Sequence, residues 1–570
     1  MDEAAAETLV EWREWGDDAF EAADARACPV LLSVTAPWCT HCRAMDEETY
    51  AEPRVAAHLK EGFVTVRVDA DRHPRVRERY NVGGFPATAF LTPEGEVLTA
   101  AGYLGLEGFR DILDSVRRTW DAKGAAAGSV PRALGDEPPA GEVTSQVEAH
   151  MIDRVTGGFD EEFGGWGESA KFPLPRAVEF AAKRERTRDH ATRTLEAIHA
   201  HLLDTYDGGF YRYADNRDWS GLHREKLTDE NAALVRAFAT GYLYTGEDTY
   251  REAAAATVDY LTTSLWTDAG ERGAFAGSQA GGDYYTLAAS EREDADPPTI
   301  DRTVFADRNG LAADALLQFH AVTDHEGAAR YAERALDTVL ADLVDGGEVT
   351  HFPPAAADGS AGNGGAGEAR GSSGESGDGG DGGEPVESGL LVDHARLLTG
   401  LTTAAQVLGD DRWLDAAREV ADQMLELQDD TGAFRDGPAE GPGLLDRPLR
   451  PLDTNVEAAD GLVDLAALTD DDGYREAAAD ALAAFAGAAG RMGVEVAGYA
   501  TACARHVNDP LVIETPPAGT DLHRAALRVA DHEKVVVPGE RENAVARRGE
   551  TASPPASEPG EIASIVAEID

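Results

Sequence analysis

"TAPWCTHCRAM" (residues 35–45) sets two cysteines three apart behind a proline–tryptophan pair. Such a pair can carry redox chemistry, supply half of a metal site, or sit idle in a small domain. The flanking sequence narrows the choice. "PVLLSVTA" (29–36) is a β-rich apolar run, and the stretch from Met45 to Lys60 reads as helix, so the pair lies where a strand hands over to a helix. A thiolate at a helix head sits in the positive end of the backbone dipole, which lowers its pKa. Cys39 is therefore the expected nucleophile and Cys42 the resolving thiol, with His41 between them to stabilise the thiolate. A zinc site would need two more ligands, and neither Cys28 nor Cys503 stands in a partner motif, so no metal is expected.

Downstream, "FVTVRVDAD" (63–71) reads as a second strand and "PATAFLTPEGEVL" (86–98) as a hairpin around Pro93-Glu94-Gly95. Leu106 to Trp120 forms a closing amphipathic helix. The order of elements, the Cys-x-x-Cys at the helix start and Pro86 of "GGFPATAF" resemble the thioredoxin superfamily over roughly residues 20 to 120. That resemblance implies a cis proline at Pro86 facing the pair. It also exposes a departure: the buried acid that thioredoxins carry six residues before the first cysteine is Ser33 here.

After a Gly/Ala/Pro-rich linker (123–142) the pattern becomes long Ala/Leu-rich helices in repeated hairpins. Segments 229–261, 307–340, 391–425 and 452–485 can be laid over one another, with Asn231, Asn309, His394 and Asn455 at one repeat position. A degenerate fifth unit spans Pro175 to Tyr206. Hairpins repeated at this spacing must stack to bury their apolar faces. Gly-aromatic turns such as "GGFDEEFGGWG" (157–167), "DGGFYRYAD" (207–215) and "DTGAFRDG" (430–437) favour a closed ring, an α/α toroid, with the turns gathered at one mouth. The expected organisation is multidomain: an α/β thioredoxin-like unit (1–122), an all-α toroid (143–490) and a small α/β segment (491–538). A disordered Gly-rich insertion (355–385) and a polar, frayed tail (539–570) complete it.

Within the toroid, "FGGWGESAKFPLP" (163–175) and "GGFYRYADNRDWSGLHREKLTDENA" (208–232) resemble the spermatogenesis-associated/YyaL-like thioredoxin-domain proteins. Those pair a thioredoxin-like domain with a toroid akin to N-acylglucosamine 2-epimerases and six-hairpin glycosidases. Arg224, Asp229 and Glu230 depart from that family's usual "HFEKMLYDNA". Here His223, Glu225 and Glu230 are candidate catalytic groups at the ring mouth, and Lys171, Trp166, Tyr211, Trp219, Lys226 and Asn231 candidate substrate contacts. Carboxylates beside aromatic platforms suit a sugar or polyol. The competing reading is structural: acids as helix caps, Lys226–Glu230 as an i,i+4 pair, and the asparagines as braces of the hairpins.

The chain has 105 acidic against 51 basic residues in 570, a net charge of −54. That field repels nucleic acid and anionic lipid, so neither is an expected partner, and an acid surplus so evenly spread fits solubility in high salt. No apolar run reaches membrane-spanning length, and the start "MDEAAAETLVEWREW" lacks the basic and apolar regions of a signal peptide. The expectation is a halophile's cytoplasmic protein with no cofactor beyond a Cys39–Cys42 disulfide. Its expected partners are a thiol-bearing protein and a sugar or polyol ligand.

Overall fold

The computed structural model describes residues 8–270, 272–353 and 386–569. The expected disordered insertion at 355–385 lies outside them. No helix of the described residues is long and apolar enough to cross a membrane.

The N-terminal unit runs α1 (Asp17–Arg26), β1 (Val30–Thr35), α2 (Thr40–Met45), α3 (Pro53–Gly62), β2 (Val64–Asp69), α4 (Pro74–Tyr80), β3 (Ala87–Leu91), β4 (Val97–Ala101) and α5 (Leu106–Lys123). Its sheet has the order β2-β1-β3-β4, with β1 parallel to β2 and antiparallel to β3. β1 is central and buried on both faces, which is why its sequence is a continuous apolar run rather than an alternating one. The single helix expected from Met45 to Lys60 is split. α2 passes through one π turn (Asp46–Tyr50), and Pro53, which cannot continue a helix, opens α3 instead.

Beyond the linker come α6 (Gln146–Gly157), α7 (Pro175–Lys183), α8 (Arg188–His201), α9 (Thr228–Thr245), α10 (Asp248–Thr263) and the short α11 (Ala289–Arg292). They are followed by α12 (Ala306–Thr323), α13 (Glu326–Asp342), α14 (Leu391–Leu408), α15 (Asp411–Leu425), α16 (Leu452–Thr469), α17 (Asp472–Phe485) and α18 (Ala497–Asn508). The inner helices pack in a closed cycle, α7 on α9, α9 on α12, α12 on α14, α14 on α16, α16 on α18 and α18 back on α7. Each carries an outer partner (α8, α10, α13, α15, α17 and α6), giving a six-hairpin toroid. The ring closes only with α18, so it extends past the boundary expected at residue 490.

Two units cover its mouths. At the far mouth lies a sheet of the strands Val512–Thr515, Val535–Pro538, Val545–Arg548 and Thr551–Ala552, which ends in the helix Ile562–Ala567. Ile562, Ile565 and Val566 of that helix are buried, so the tail expected to fray is anchored by an i,i+3,i+4 apolar stripe. At the near mouth sits the thioredoxin-like unit. Arg79 of α4 grips Asp436 through both guanidinium arms (2.5 and 3.2 Å) and donates to the Leu444 carbonyl, while Leu227, Leu444, Leu445 and Leu449 of the ring complete the small domain's core.

Candidate functional site

Cys39 caps α2, and its Sγ accepts the Cys42 backbone N–H at 3.1 Å; the two sulfurs are joined as a disulfide, with the cis Phe85–Pro86 bond nearby in the fold. This is the placement expected from sequence, down to the proline isomer. Ser33 is fully buried and faces the hydroxyls of Tyr50 and Thr88, so no carboxylate lies beneath the pair at that position. Trp38, next to Cys39, donates its Nε1–H to Asp71 at 2.8 Å. The remaining cysteines are remote in character. Burial pushes the Cys28 thiol up and the Cys503 thiol to about 12, which disfavours the thiolate at both.

The pair faces the ring across a narrow junction built on the hairpin of β5 (Tyr213–Ala214) and β6 (Leu222–His223). Arg212, just before β5, lays its guanidinium 4.4 Å from the centre of the Trp38 ring and pairs with Glu230 at 3.0 Å and Glu225 at 3.5 Å. His223 stacks on Tyr213 at 4.0 Å, Tyr213 stacks on Phe172 at 4.7 Å, and the His41 ring is centred 6.4 Å from that of His223. A row of rings thus leads from beside the cysteine pair to the toroid. The Glu225 carboxylate, 3.7 Å away, and Asp215 at 3.0 Å raise the His223 pKa despite burial. Burial would raise Glu225, yet His223 and Arg212 hold its carboxyl below the usual range.

Behind Phe172 opens a cavity of about 310 Å³ at the heads of the inner helices, walled by Arg212, Asp229, Glu230, Arg236 and Arg396 among others. Its charges are largely spent on each other: Arg236 on Glu179 and Asp314, Arg396 on Glu457 and Asp307. Asp229 Oδ1 and Glu230 Oε2 are left without a hydrogen-bond partner. Glu230 lies deep in the ring but keeps a third of its side chain open; burial, against the pull of Arg212, pushes its carboxyl up to about 7. Glu230 therefore belongs to the cavity, whereas His223 and Glu225 belong to the junction above it, and the ring mouth expected as one cluster is two adjoining places.

Most expected substrate contacts are braces. Lys171 is fully buried, donating to Asp160 (2.8 Å) and the Gly164 carbonyl, and Lys226 does the same to Asp204 (2.9 Å) and the Gly208 carbonyl. Each lysine locks an aspartate-led turn whose paired glycines, Gly164–Gly165 and Gly208–Gly209, all take φ of +70 to +76°. At Gly209 a Cβ would stand 2.6 Å from the Tyr260 ring, so the glycine is required twice over. Asn231 accepts the Phe210 N–H and donates to the carbonyls of Phe210 and Leu227; Asn309 and Asn455 repeat the motif on Phe275 and Phe434. Trp166 and Trp219 are buried and donate to the Val155 and Phe163 carbonyls. Tyr211 is buried beside Arg292, and burial pushes its phenol to about 12.

Sequence reasoning missed the seat of the thioredoxin-like domain. Asp71 binds Arg308 at 2.7 Å, and its carbonyl accepts from His351 Nε2 at 2.7 Å, while His351 Nδ1 meets Asp393 at 2.8 Å. Asp307, His351 and Asp393 converge closely enough to suggest a metal, but Arg396 on Asp307 and the doubly engaged imidazole already supply the countercharge. Arg212 was equally silent: it is one arginine in an aromatic turn, and only its contact with Trp38, some 170 positions upstream, reveals it.

Residues 3–134 match the family model described as Thioredox_DsbH, protein of unknown function DUF255. The chain is 27% identical over 328 residues to human spermatogenesis-associated protein 20, covering 51% of this chain and 39% of that protein. It is also 29% identical over 154 residues to protein disulfide isomerase-like 2-1 of Oryza sativa subsp. japonica, 27% of this chain and 37% of that one. The chain thus spans about two fifths of the length of these curated relatives. Among solved structures, a sugar epimerase from a ruminal bacterium is similar, with a TM-score of 0.45 and 14% identity over 59% of this chain and 85% of that one.

Proposed function

We propose that the chain is a thiol–disulfide oxidoreductase in which Cys39 exchanges and Cys42 resolves, working without a bound cofactor on a thiol partner. The observation that carries the reading is the Cys42 N–H aimed at Cys39 Sγ at the head of α2. That hydrogen bond and the helix dipole both favour the thiolate, the form that attacks. With Ser33 in place of an internal acid, the proton of the resolving step passes to solvent or to the exposed His41. The acid surplus supports the further reading that the protein works in the salt-rich cytoplasm of a halophile.

Equilibration of the full chain against a dithiothreitol gradient, read by alkylation and mass, tests the proposal. A reversible two-electron transition that vanishes in Cys39→Ser supports it. A pair that stays oxidised or reduced across the whole gradient, or a transition that survives in Cys39→Ser, overturns it.

A second reading is favoured by one place: the cavity where Phe172 is 48% exposed beside Glu230. An open aromatic face next to a carboxyl is the pairing that binds polyols. Titration calorimetry with monosaccharides against wild type and Glu230→Gln tests it, and absence of heat with every sugar would count against it.

A further inference from the structure

We propose that the substrate of the Cys39–Cys42 exchange is a low-molecular-weight thiol, or its disulfide, whose hydroxylated tail lies in the ring cavity while its sulfur meets Cys39. This rests on the exchange reading and goes beyond it by joining the junction at the cysteine pair to the cavity behind Phe172.

Access argues for a slender substrate. Cys39 and Cys42 are only 7% and 5% exposed, Trp38 is covered by Arg212, and the β5–β6 hairpin stands opposite His41. A folded protein must lay down a broad surface to present its disulfide, typically about 800 Å² on each side. A small molecule needs only a slot.

Continuity argues for where its tail goes. Arg212 is both the cover on Trp38 and a wall of the cavity. The rings of His41, His223, Tyr213 and Phe172 form one edge from the pair to the cavity lip. A volume of about 310 Å³ is at the small end for ligand sites, suited to one sugar-sized ring rather than an oligosaccharide.

The cavity's chemistry sets the tail's class. Phe172 offers an open face, Asp229 and Glu230 each hold an acceptor without a partner, and Arg176 lies 3.9 Å from Glu179 and 3.8 Å from Glu457, beyond hydrogen-bond length. Hydroxyl groups can answer both acceptors and donor. An ammonium tail would meet the guanidinium groups of Arg176, Arg212, Arg236 and Arg396 on the same walls.

The exchange balances within the protein. From the disulfide form, one substrate thiolate attacks Cys39 Sγ, the Cys39–Cys42 bond breaks, and Cys42 leaves as thiolate. A second substrate thiolate then attacks the substrate sulfur of the mixed disulfide and expels the Cys39 thiolate. Two thiols become one disulfide, and the protein's disulfide becomes its dithiol. Run backwards, the dithiol reduces the small disulfide.

The test uses full-length Cys42→Ser in 1 M KCl, which traps the mixed disulfide on Cys39, read by intact mass and peptide mapping. The probes are the disulfide of 6-mercaptohexyl β-D-glucoside, whose chain can span the row of rings, cystamine, dimethyl disulfide and insulin, each rate divided by that of free 2-mercaptoethanol with the same probe. The expected result is a preference of tenfold or more for the glucoside disulfide over dimethyl disulfide, falling toward unity in Phe172→Ala and Asp229→Asn. No preference for the sugar tail, or a preference that survives both substitutions, overturns the inference while leaving exchange intact. Faster reaction of insulin overturns the slender substrate, and faster reaction of cystamine overturns the hydroxylated tail. No adduct on Cys39 with any probe would instead overturn the exchange reading itself.

Discussion

Replacing His351 with glutamine removes a cation from the buried seat between the redox domain and the ring. Both imidazole nitrogens face acceptors, the Asp393 carboxylate at 2.8 Å and the Asp71 carbonyl at 2.7 Å, so both must carry a proton. Burial would push the ring pKa down, but Asp393 and Asp307 overcome it and raise the value to about 9. A histidine whose folded pKa is raised binds its proton more tightly when folded. Its contribution is complete below the ordinary value of 6.5 and is lost as pH rises through about 9. The gap of roughly 2.5 units corresponds to about 3 kcal/mol, of which about 2.5 kcal/mol disappears between pH 7 and pH 10.

In His351→Gln the Asp393 carboxylate stays buried without its partner, an expected loss of about 3–5 kcal/mol at pH 7. The wild type sheds its own contribution as it is made alkaline, so the gap between the two proteins should shrink by about 2.5 kcal/mol by pH 10. Urea midpoints in molar KCl, followed by tryptophan fluorescence and far-ultraviolet circular dichroism, measure that gap at each pH. A gap constant from pH 6 to pH 10 would refute the reasoning, because it would mean that the native imidazole is neutral and that one of its two acceptors goes unanswered.

Other consequences are more direct. Alkylation at mild pH after reduction should label Cys39 before Cys28 and Cys503, whose thiols burial pushes up; equal labelling would contradict the helix-head argument. Because burial raises the Glu230 carboxyl to about 7, it lowers stability progressively above pH 4.5; Glu230→Gln should raise the melting temperature at pH 8 and leave it unchanged at pH 4, and the opposite order would contradict the shift. Lys171→Met leaves Asp160 buried beside only Arg217 and should cost about 3 kcal/mol or more in urea denaturation, whereas a ligand-binding lysine would cost little. With a net charge of −54, thermal stability should climb steeply with potassium chloride, and a melting temperature flat from dilute buffer to molar salt would contradict the halophile reading.

The parts of the fold that were legible are those fixed by short-range pattern. β1 announces itself as an apolar run, the Cys-x-x-Cys by its place after it, and the hairpin repeat by Asn231, Asn309 and Asn455 recurring at one offset. Those asparagines recur because each ties the aromatic turn before its helix, a local task that writes itself into the spacing. The ring's end was missed because α18 has no returning partner after it in sequence; its outer helix is α6, some 350 residues earlier. Lys171 and Lys226 were misjudged for a related reason. A lysine beside glycines and aromatics looks the same in sequence whether its ammonium faces a ligand or an aspartate 22 positions back, as that of Lys226 does.

The placement of the two covers on the ring bears on why a redox pair and a cavity share one chain. At the far mouth the segment from Leu527 to Val536 enters the bore: His532 and Lys534 line its lower cavities together with residues of the inner helices. Burial lowers Lys534 to about 8, which marks how far that plug intrudes. At the near mouth, α4 and the loop from Asp436 to Leu449 seal the side on which Arg75 and Arg79 lie. Phe172, the exposed aromatic of the cavity wall, stacks on Tyr213, Tyr213 stacks on His223, and His223 lies beside His41. If the redox domain were merely tethered to a sugar-binding ring, nothing would require its active face to turn inward, and Arg212 would have no reason to touch Trp38 and Glu230 at once.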